Sequence, residues 1–138
     1  VEEGILPGGG TAILRARKKL EALRKKLPGD EGLGVDIVFR AVSAPIKQIA
    51  RNCDLEGSLI ASKVEENDDA SFGFNALTRE YGDLVKMGVI VPTKVERVAL
   101  ENAASVAGLL LTTEAAVVEH QDKKKAKVPM GGGDDFDY

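Results

Sequence analysis

Pro7-Gly8-Gly9-Gly10, followed by Thr11, is the stretch of this sequence whose residue types could most directly meet a ligand. Residues without a Cβ let backbone come close to a bound molecule, and free N–H groups at the start of a following helix favour anions. The triplet has neither the G-x-G-x-x-G spacing of a dinucleotide site nor the lysine of a phosphate-binding P-loop. A plain connecting turn therefore accounts for it equally well.

Other candidates are weaker. Arg15, Arg17, Lys18, Lys19, Arg24, Lys25 and Lys26 crowd one short region, where about six phosphate contacts would give strongly salt-dependent binding to a nucleic acid. They surround an aliphatic stripe, no aromatics interleave them, and the chain carries a net charge of -3, so nucleic acid is disfavoured and a solvated face is the simpler reading. Glu65-Glu66-Asn67-Asp68-Asp69 lacks the glycine-centred spacing of a calcium loop and reads as an exposed turn. Cys53 and His120 have no visible catalytic partners, and they are too few for a Cys/His metal cluster. Both read as structural or incidental.

The elements that must position these residues are mostly helical. Residues 11–27 carry Ile13, Ala16, Leu20, Leu23 and Leu27 on one stripe, with Thr11 as N-cap, and Pro28-Gly29 ends that helix. Asp30 is the expected cap of a helix carrying Leu33, Val35, Ile37, Val38 and Val42. Ser43 caps a third, with Pro45 in its first turn and Ile46, Ile49 and Ala50 inward. Ser58 opens a fourth over 59–64. Short strands are expected over 70–74 and 88–91, with a helix over 78–87 between them. The longest helix is predicted over 93–111, where Thr93-x-x-Glu96 reads as a capping box. Its Ala99, Ala103, Ala104 and Ala107 suit close helix pairing in a buried bundle. The β-branched Val117-Val118 pair suggests a strand over 114–119. Residues 1–4 read as the last turn of a helix closed by Gly4, one that begins upstream of Val1.

The bulk numbers agree with one domain whose interior is aliphatic: 43% of residues are hydrophobic, only 4% aromatic, and Trp is absent. The expected fold class is mainly α, a multihelical bundle with a few short β-strands. No run approaches the roughly 20 apolar residues needed to span a bilayer. A lone cysteine fits a reducing compartment.

The run from Val1-Glu2-Glu3-Gly4 through Pro7-Gly8-Gly9-Gly10-Thr11-Ala12 closely resembles the segment in which group I (GroEL-type) chaperonins pass from the intermediate into the equatorial domain. The likeness continues through Ala44-Pro45-Ile46-Lys47-Gln48-Ile49, Gly73-Phe74-Asn75-Ala76, Met87-Gly88-Val89-Ile90, Pro92-Thr93-Lys94-Val95 and Ala103-Ala104-Ser105-Val106-Ala107-Gly108-Leu109, covering residues 1 to about 119. It implies three parts: residues 1–5 ending the intermediate-to-equatorial connection, 6–119 forming the C-terminal part of the equatorial domain, and 120–138 forming a flexible tail.

The resemblance further implies part of an ATP-dependent double-ring machine that assists protein folding. Carried over position by position, Gly9 lies against the nucleotide, Asn75 and Ala76 contact its base, and Val89 and Ile90 flank it. Asn can hydrogen-bond an adenine edge and aliphatic side chains give the base an apolar wall. The family's phosphate loop, its magnesium ligand and the Asp that activates water lie upstream of any residue in this sequence. Mg2+ is thus expected to be held outside this chain, and no catalytic or metal-binding residue is assigned within it; by itself the chain is expected not to hydrolyse ATP. Other subunits of a homo-oligomer are implied as partners, with folding clients and a co-chaperonin engaged elsewhere in the parent subunit, in a bacterial-type cytoplasm or an organelle matrix. Two departures stand out. Val91 replaces the usual Asp before Pro92-Thr93-Lys94, and valine cannot accept hydrogen bonds from ribose hydroxyls; Met130-Gly131-Gly132-Gly133 is not repeated as the family's Gly- and Met-rich tail is. The alternative reading is a non-catalytic interaction module using the basic amphipathic helix.

Overall fold

A computed structural model describes residues 2–119; His120 and the expected tail lie outside the described residues. The order of elements is β1 (Ile5–Pro7), α1 (Thr11–Arg15), α2 (Arg17–Arg24), α3 (Asp30–Ala41), α4 (Ala44–Arg51), α5 (Gly57–Glu66), β2 (Phe72–Asn75), β3 (Glu80–Asp83), β4 (Ile90–Pro92) and α6 (Thr93–Thr112). The fold is mainly helical with a few short strands, as the sequence predicts.

The centre is small and aliphatic. Leu14 from α1, Ile46 and Ala50 from α4, Ile60, Ala61 and Val64 from α5 and Phe74 from β2 bury against one another, with Leu55, Ala76 and Tyr81 packed on them. Hydrophobic burial of this kind supplies most of the favourable free energy of folding. Gly57 lets α5 cross α4 closely: a Cβ there would lie 2.7 Å from the Lys47 Cα.

The strands form two separate antiparallel pairs. In the first, Ile5 pairs with Pro92, Leu6 with Val91 and Pro7 with Ile90. In the second, Phe72 pairs with Asp83, Gly73 with Gly82, Phe74 with Tyr81 and Asn75 with Glu80.

Several expectations are corrected. The helix expected over 11–27 is broken at Ala16, whose N–H bonds back to the Ile13 carbonyl at 3.1 Å. The break has a cause in side-chain direction: residues two apart on a regular helix do not face the same way. Here Arg15 and Arg17 both reach the C-terminal end of α5. Leu23 is exposed and α2 buries no residue fully, because α2 lies at the periphery against α3, tied to it by Arg24 and Asp36 at 3.0 Å. On α3 only Val35 and Gly32 are buried, with Val42 just beyond its end; Leu33, Ile37 and Val38 face out.

The caps differ too. Gly10, Gly29 and Glu56 occupy the N-cap positions expected for Thr11, Asp30 and Ser58, which lie within their helices. Ser43 does precede α4, but its Oγ donates to the Arg40 carbonyl at 2.9 Å and caps nothing. Pro92 precedes α6, so Thr93 is its first residue and the capping box does not form; the Thr93 N–H instead reaches the Gly4 carbonyl at 3.1 Å. Residues 2–4 are not helical: Gly4 has φ +83° and leads straight into β1.

The helix expected over 78–87 is a strand and two turns. Asn75 Oδ1 accepts the Leu77 N–H at 3.0 Å, and Asp83 Oδ1 accepts the Val85 N–H at 3.1 Å, side-chain turns that compete with helix. Tyr81 then sits on β3 opposite Phe74, ring centroids 5.0 Å apart. No strand forms over 114–119. Finally, α6 buries none of its residues; among the described elements it packs chiefly beside β4, so the buried bundle partner expected for its alanines is not within the described residues.

Candidate base-side nucleotide site

The glycine triplet is the point where three distant segments of the chain meet. Gly8 donates its N–H to the Val89 carbonyl at 2.9 Å, and a Cβ on Gly8 would lie 3.3 Å from that same oxygen. A Cβ on Gly9 would lie 3.3 Å from the Phe74 carbonyl oxygen, and one on Gly10 would lie 2.7 Å from the Ile46 nitrogen. Gly9 and Gly10 also have φ of +64° and +75°, a left-handed conformation that disfavours any residue with a Cβ. The close approach the glycines allow is thus first an approach to the protein's own backbone.

That geometry sets Gly9 of the turn beside the chain segments that carry the other four expected site positions. Gly9 touches β2 immediately before Asn75 and Ala76, while its neighbour Gly8 is hydrogen-bonded to Val89, next to Ile90. Val89 is half-buried and held from both sides, its N–H donating to the Leu84 carbonyl at 2.8 Å. Ile90 is paired with Pro7 on β1 and stays exposed, an aliphatic side chain beside the turn. Ala76 is half-buried and its carbonyl accepts the Cys53 thiol at 3.7 Å, which gives that lone cysteine a structural place.

Asn75 ends β2 with little exposed surface. Its Oδ1 is committed to the Leu77 N–H, which leaves the amide NH2 as the free donor, with no hydrogen-bond partner among the described residues. A donor fixed in orientation by its own oxygen is suited to an acceptor nitrogen on a heterocycle edge. The residues present therefore fit the base side of a nucleotide: a polarised amide, a glycine wall and aliphatic flanks. They offer nothing for its metal. Val91, half-buried on β4 opposite Leu6, puts no carboxylate beside them, and among the described residues no group of three or more His, Cys, Asp or Glu side chains is placed to hold a metal ion.

Sequence reasoning missed Gly73 and Arg15. A Cβ at Gly73 would fall 2.5 Å from both the Thr11 Oγ1 and the Leu84 Cδ1, so β2 lies flush on α1 only because that position is bare. An isolated glycine inside a strand pattern signals such an approach. Its basic neighbours make Arg15 read as one more solvated cation, and its guanidinium instead grips three carbonyls, with Nη1 donating to Asn67 at 2.9 Å and Nη2 to Phe72 at 2.8 Å and Val64 at 3.3 Å. Nothing in its local sequence separates it from its basic neighbours.

The acidic turn answers the basic run. Arg17 holds both Glu65 oxygens, at 2.7 and 2.8 Å, and stacks 3.8 Å over the Phe39 ring, while Lys18 reaches Asp68 at 3.0 Å, a partner that lowers the Asp68 pKa. Arg17, Lys18, Phe39 and Glu65 line a depression of about 290 Å³ between α1, α2, α3 and α5. A shallower one of about 640 Å³ runs along α6 between Pro92 and Asn102. Neither includes the candidate site residues.

A model of the TCP-1/cpn60 chaperonin family matches residues 1–121. Among solved structures, the open-state monomer of a group II chaperonin from Methanococcoides burtonii superimposes with a TM-score of 0.73 at 23% identity, over 79% of this chain and 28% of that one. A group III chaperonin in its open state gives a TM-score of 0.74 at 30% identity, over 83% of this chain and 24% of that one. The chain spans about a quarter of the length of these proteins. It belongs to the TCP-1/cpn60 chaperonin family.

Proposed function

We propose that this chaperonin-family chain is the C-terminal equatorial segment of an ATP-dependent subunit that assists protein folding, and that it supplies the base-side wall of the nucleotide site. Residues 6–119 form the equatorial part and residues 1–5 join it to the intermediate domain. The observation that supports this reading is that the glycine turn lies against the Phe74 carbonyl, just before Asn75 and Ala76, and is hydrogen-bonded to Val89, just before Ile90.

In that role Asn75 donates its amide hydrogen to the base, Val89 and Ile90 shield one edge, and Gly9 leaves room for the ring. ATP supplies the driving free energy through phosphoryl transfer, for which positioned metal and phosphates are required; those ligands belong to the remainder of the subunit, so hydrolysis is assigned to the whole subunit and not to this segment. The sequence resemblance from Val1 to Leu109 is the ground for a group I, double-ring homo-oligomer, whereas the solved structures the chain superimposes on are a group II and a group III chaperonin; clients and co-chaperonin would be bound by parts of the subunit outside this chain, in a bacterial-type cytoplasm or an organelle matrix. The alternative of a basic interaction module is weakened by Arg15, Arg17, Lys18 and Arg24 all being engaged within the chain.

The test is ATP-dependent refolding of a denatured client by the full subunit, with wild-type protein compared with Asn75→Ala. Refolding that requires ATP, and an ATP requirement raised in Asn75→Ala, supports the reading. Salt-sensitive RNA binding without nucleotide-dependent refolding supports the alternative.

A further inference from the structure

Arg15 spans from α1 to the connection between α5 and β2. Its Nη1 donates to the Asn67 carbonyl at 2.9 Å, and its Nη2 to the carbonyls of Phe72 at 2.8 Å and Val64 at 3.3 Å. One side chain thereby fastens the end of α5, the acidic turn and the first residue of β2. Its Nε is buried and has no partner among the described residues, where the guanidinium is held by those carbonyls and not by a carboxylate. Charge-assisted hydrogen bonds to carbonyls are stronger than neutral ones, and a planar guanidinium fixes their directions as an ammonium cannot.

The position of this clamp matters. Arg15 is one helical turn from the glycine triplet, on the helix that the triplet starts, and β2 carries Asn75 three residues beyond the gripped Phe72 carbonyl. Leu14 packs with Phe74 in the core, and Gly73 lies against Thr11, but these are apolar or close contacts that put no directed bond between α1 and β2. The bond to the Phe72 carbonyl supplies that direction. Arg17 makes a useful contrast: it also reaches α5 but ends on the Glu65 side chain, and among the described residues it makes no hydrogen bond to β2.

We propose that Arg15 is a positioning residue for the nucleotide base: it sets the register of β2 against the glycine turn, and so the distance between Gly9 and Asn75. The inference rests on the base-side reading of that site. Arg15 touches no nucleotide in this account and acts through β2.

The experiment compares Arg15→Met, Arg15→Lys and Arg17→Met in the full assembled subunit, with steady-state ATP hydrolysis and the melting temperature measured for each. Expected for Arg15→Met is a KM for ATP raised about three- to tenfold with kcat within about twofold, since base binding is weakened and phosphate chemistry lies elsewhere. Arg15→Lys falls between it and wild type. Arg17→Met lowers the melting temperature comparably and leaves KM unchanged. Equal KM values for Arg15→Met and wild type overturn the inference, as does an equal rise in KM for Arg17→Met, which would make the effect one of general stability. Failure of both Arg15 variants to assemble overturns it too, by assigning the residue to folding of the core. A wild-type subunit that does not bind ATP refutes the underlying site reading as well, and is separated from the other outcomes by that control.

Discussion

The Gly8 N–H and the Val89 carbonyl meet at 2.9 Å, closing the β1–β4 pair at the point where the glycine turn begins. Two segments from opposite ends of the described chain are thus locked in register by backbone alone. The lock places Ile90 beside Pro7 and brings Gly9 to face β2, so that the geometry of the site is a property of the main chain, and side chains such as Asn75 and Arg15 refine it.

Gly9→Ala tests that dependence on backbone. The new methyl would sit 3.3 Å from the Phe74 oxygen in a φ +64° conformation, and a left-handed residue with a Cβ costs roughly 1–2 kcal/mol. A lowered melting temperature together with weaker ATP binding by the full subunit is expected. A variant indistinguishable from wild type in calorimetric titration would show that the turn can move away from β2 without consequence.

Leu14→Ala addresses the core that carries the site. Leu14 is fully buried and joins α1 to α4, α5 and β2, so truncation is expected to cost about 2–5 kcal/mol of stability. Urea unfolding of the subunit measures it; a loss below about 1 kcal/mol would mean that the site relaxes around the missing methyls.

Acid weakens the join between the N-terminal segment and α6. Hydrogen bonding to Arg97, at 2.7 Å, lowers the Glu3 pKa from its ordinary 4.5, and the same pair raises that of Arg97. A depressed carboxylate contributes stability that is present above 4.5 and lost as pH falls through its folded value. Carboxyl NMR should therefore give Glu3 a midpoint below 4.5, returning towards 4.5 in Arg97→Ala. A wild-type midpoint at or above 4.5 would mean that the pair does not persist in solution.

How far the sequence alone reveals this arrangement depends on the range of each interaction. Helices α3, α4, α5 and α6 are legible because aliphatic spacing and Pro or Gly punctuation act locally, and their ends drift by a residue or more where Gly10, Gly29 and Glu56 take the cap positions. The hairpin strand β3 is not legible: Tyr81 is in a strand because Phe74 lies across from it, and the Asx turns at Asn75 and Asp83 that open and close it look in sequence like ordinary polar residues. The candidate residues Gly9, Asn75, Ala76, Val89 and Ile90 emerge from the family resemblance, since no pattern in one sequence tells that segments so far apart will lie side by side. Arg15 escapes because its role exists only once the α5–β2 connection is folded beneath it.

Val91→Asp tests the family's departure at β4. Restoring an acceptor for ribose hydroxyls is expected to strengthen nucleotide binding by about 0.5–1.5 kcal/mol per hydrogen bond gained. Unchanged affinity in the full subunit would show that residue 91 does not face the sugar.

The most direct test of the base-side assignment is photolabelling of the assembled full subunit with 8-azidoadenosine diphosphate, followed by peptide mapping. The account predicts label within residues 72–77 or 88–91, reduced by excess ADP and by Asn75→Ala. Competable label confined to peptides outside both segments would contradict it.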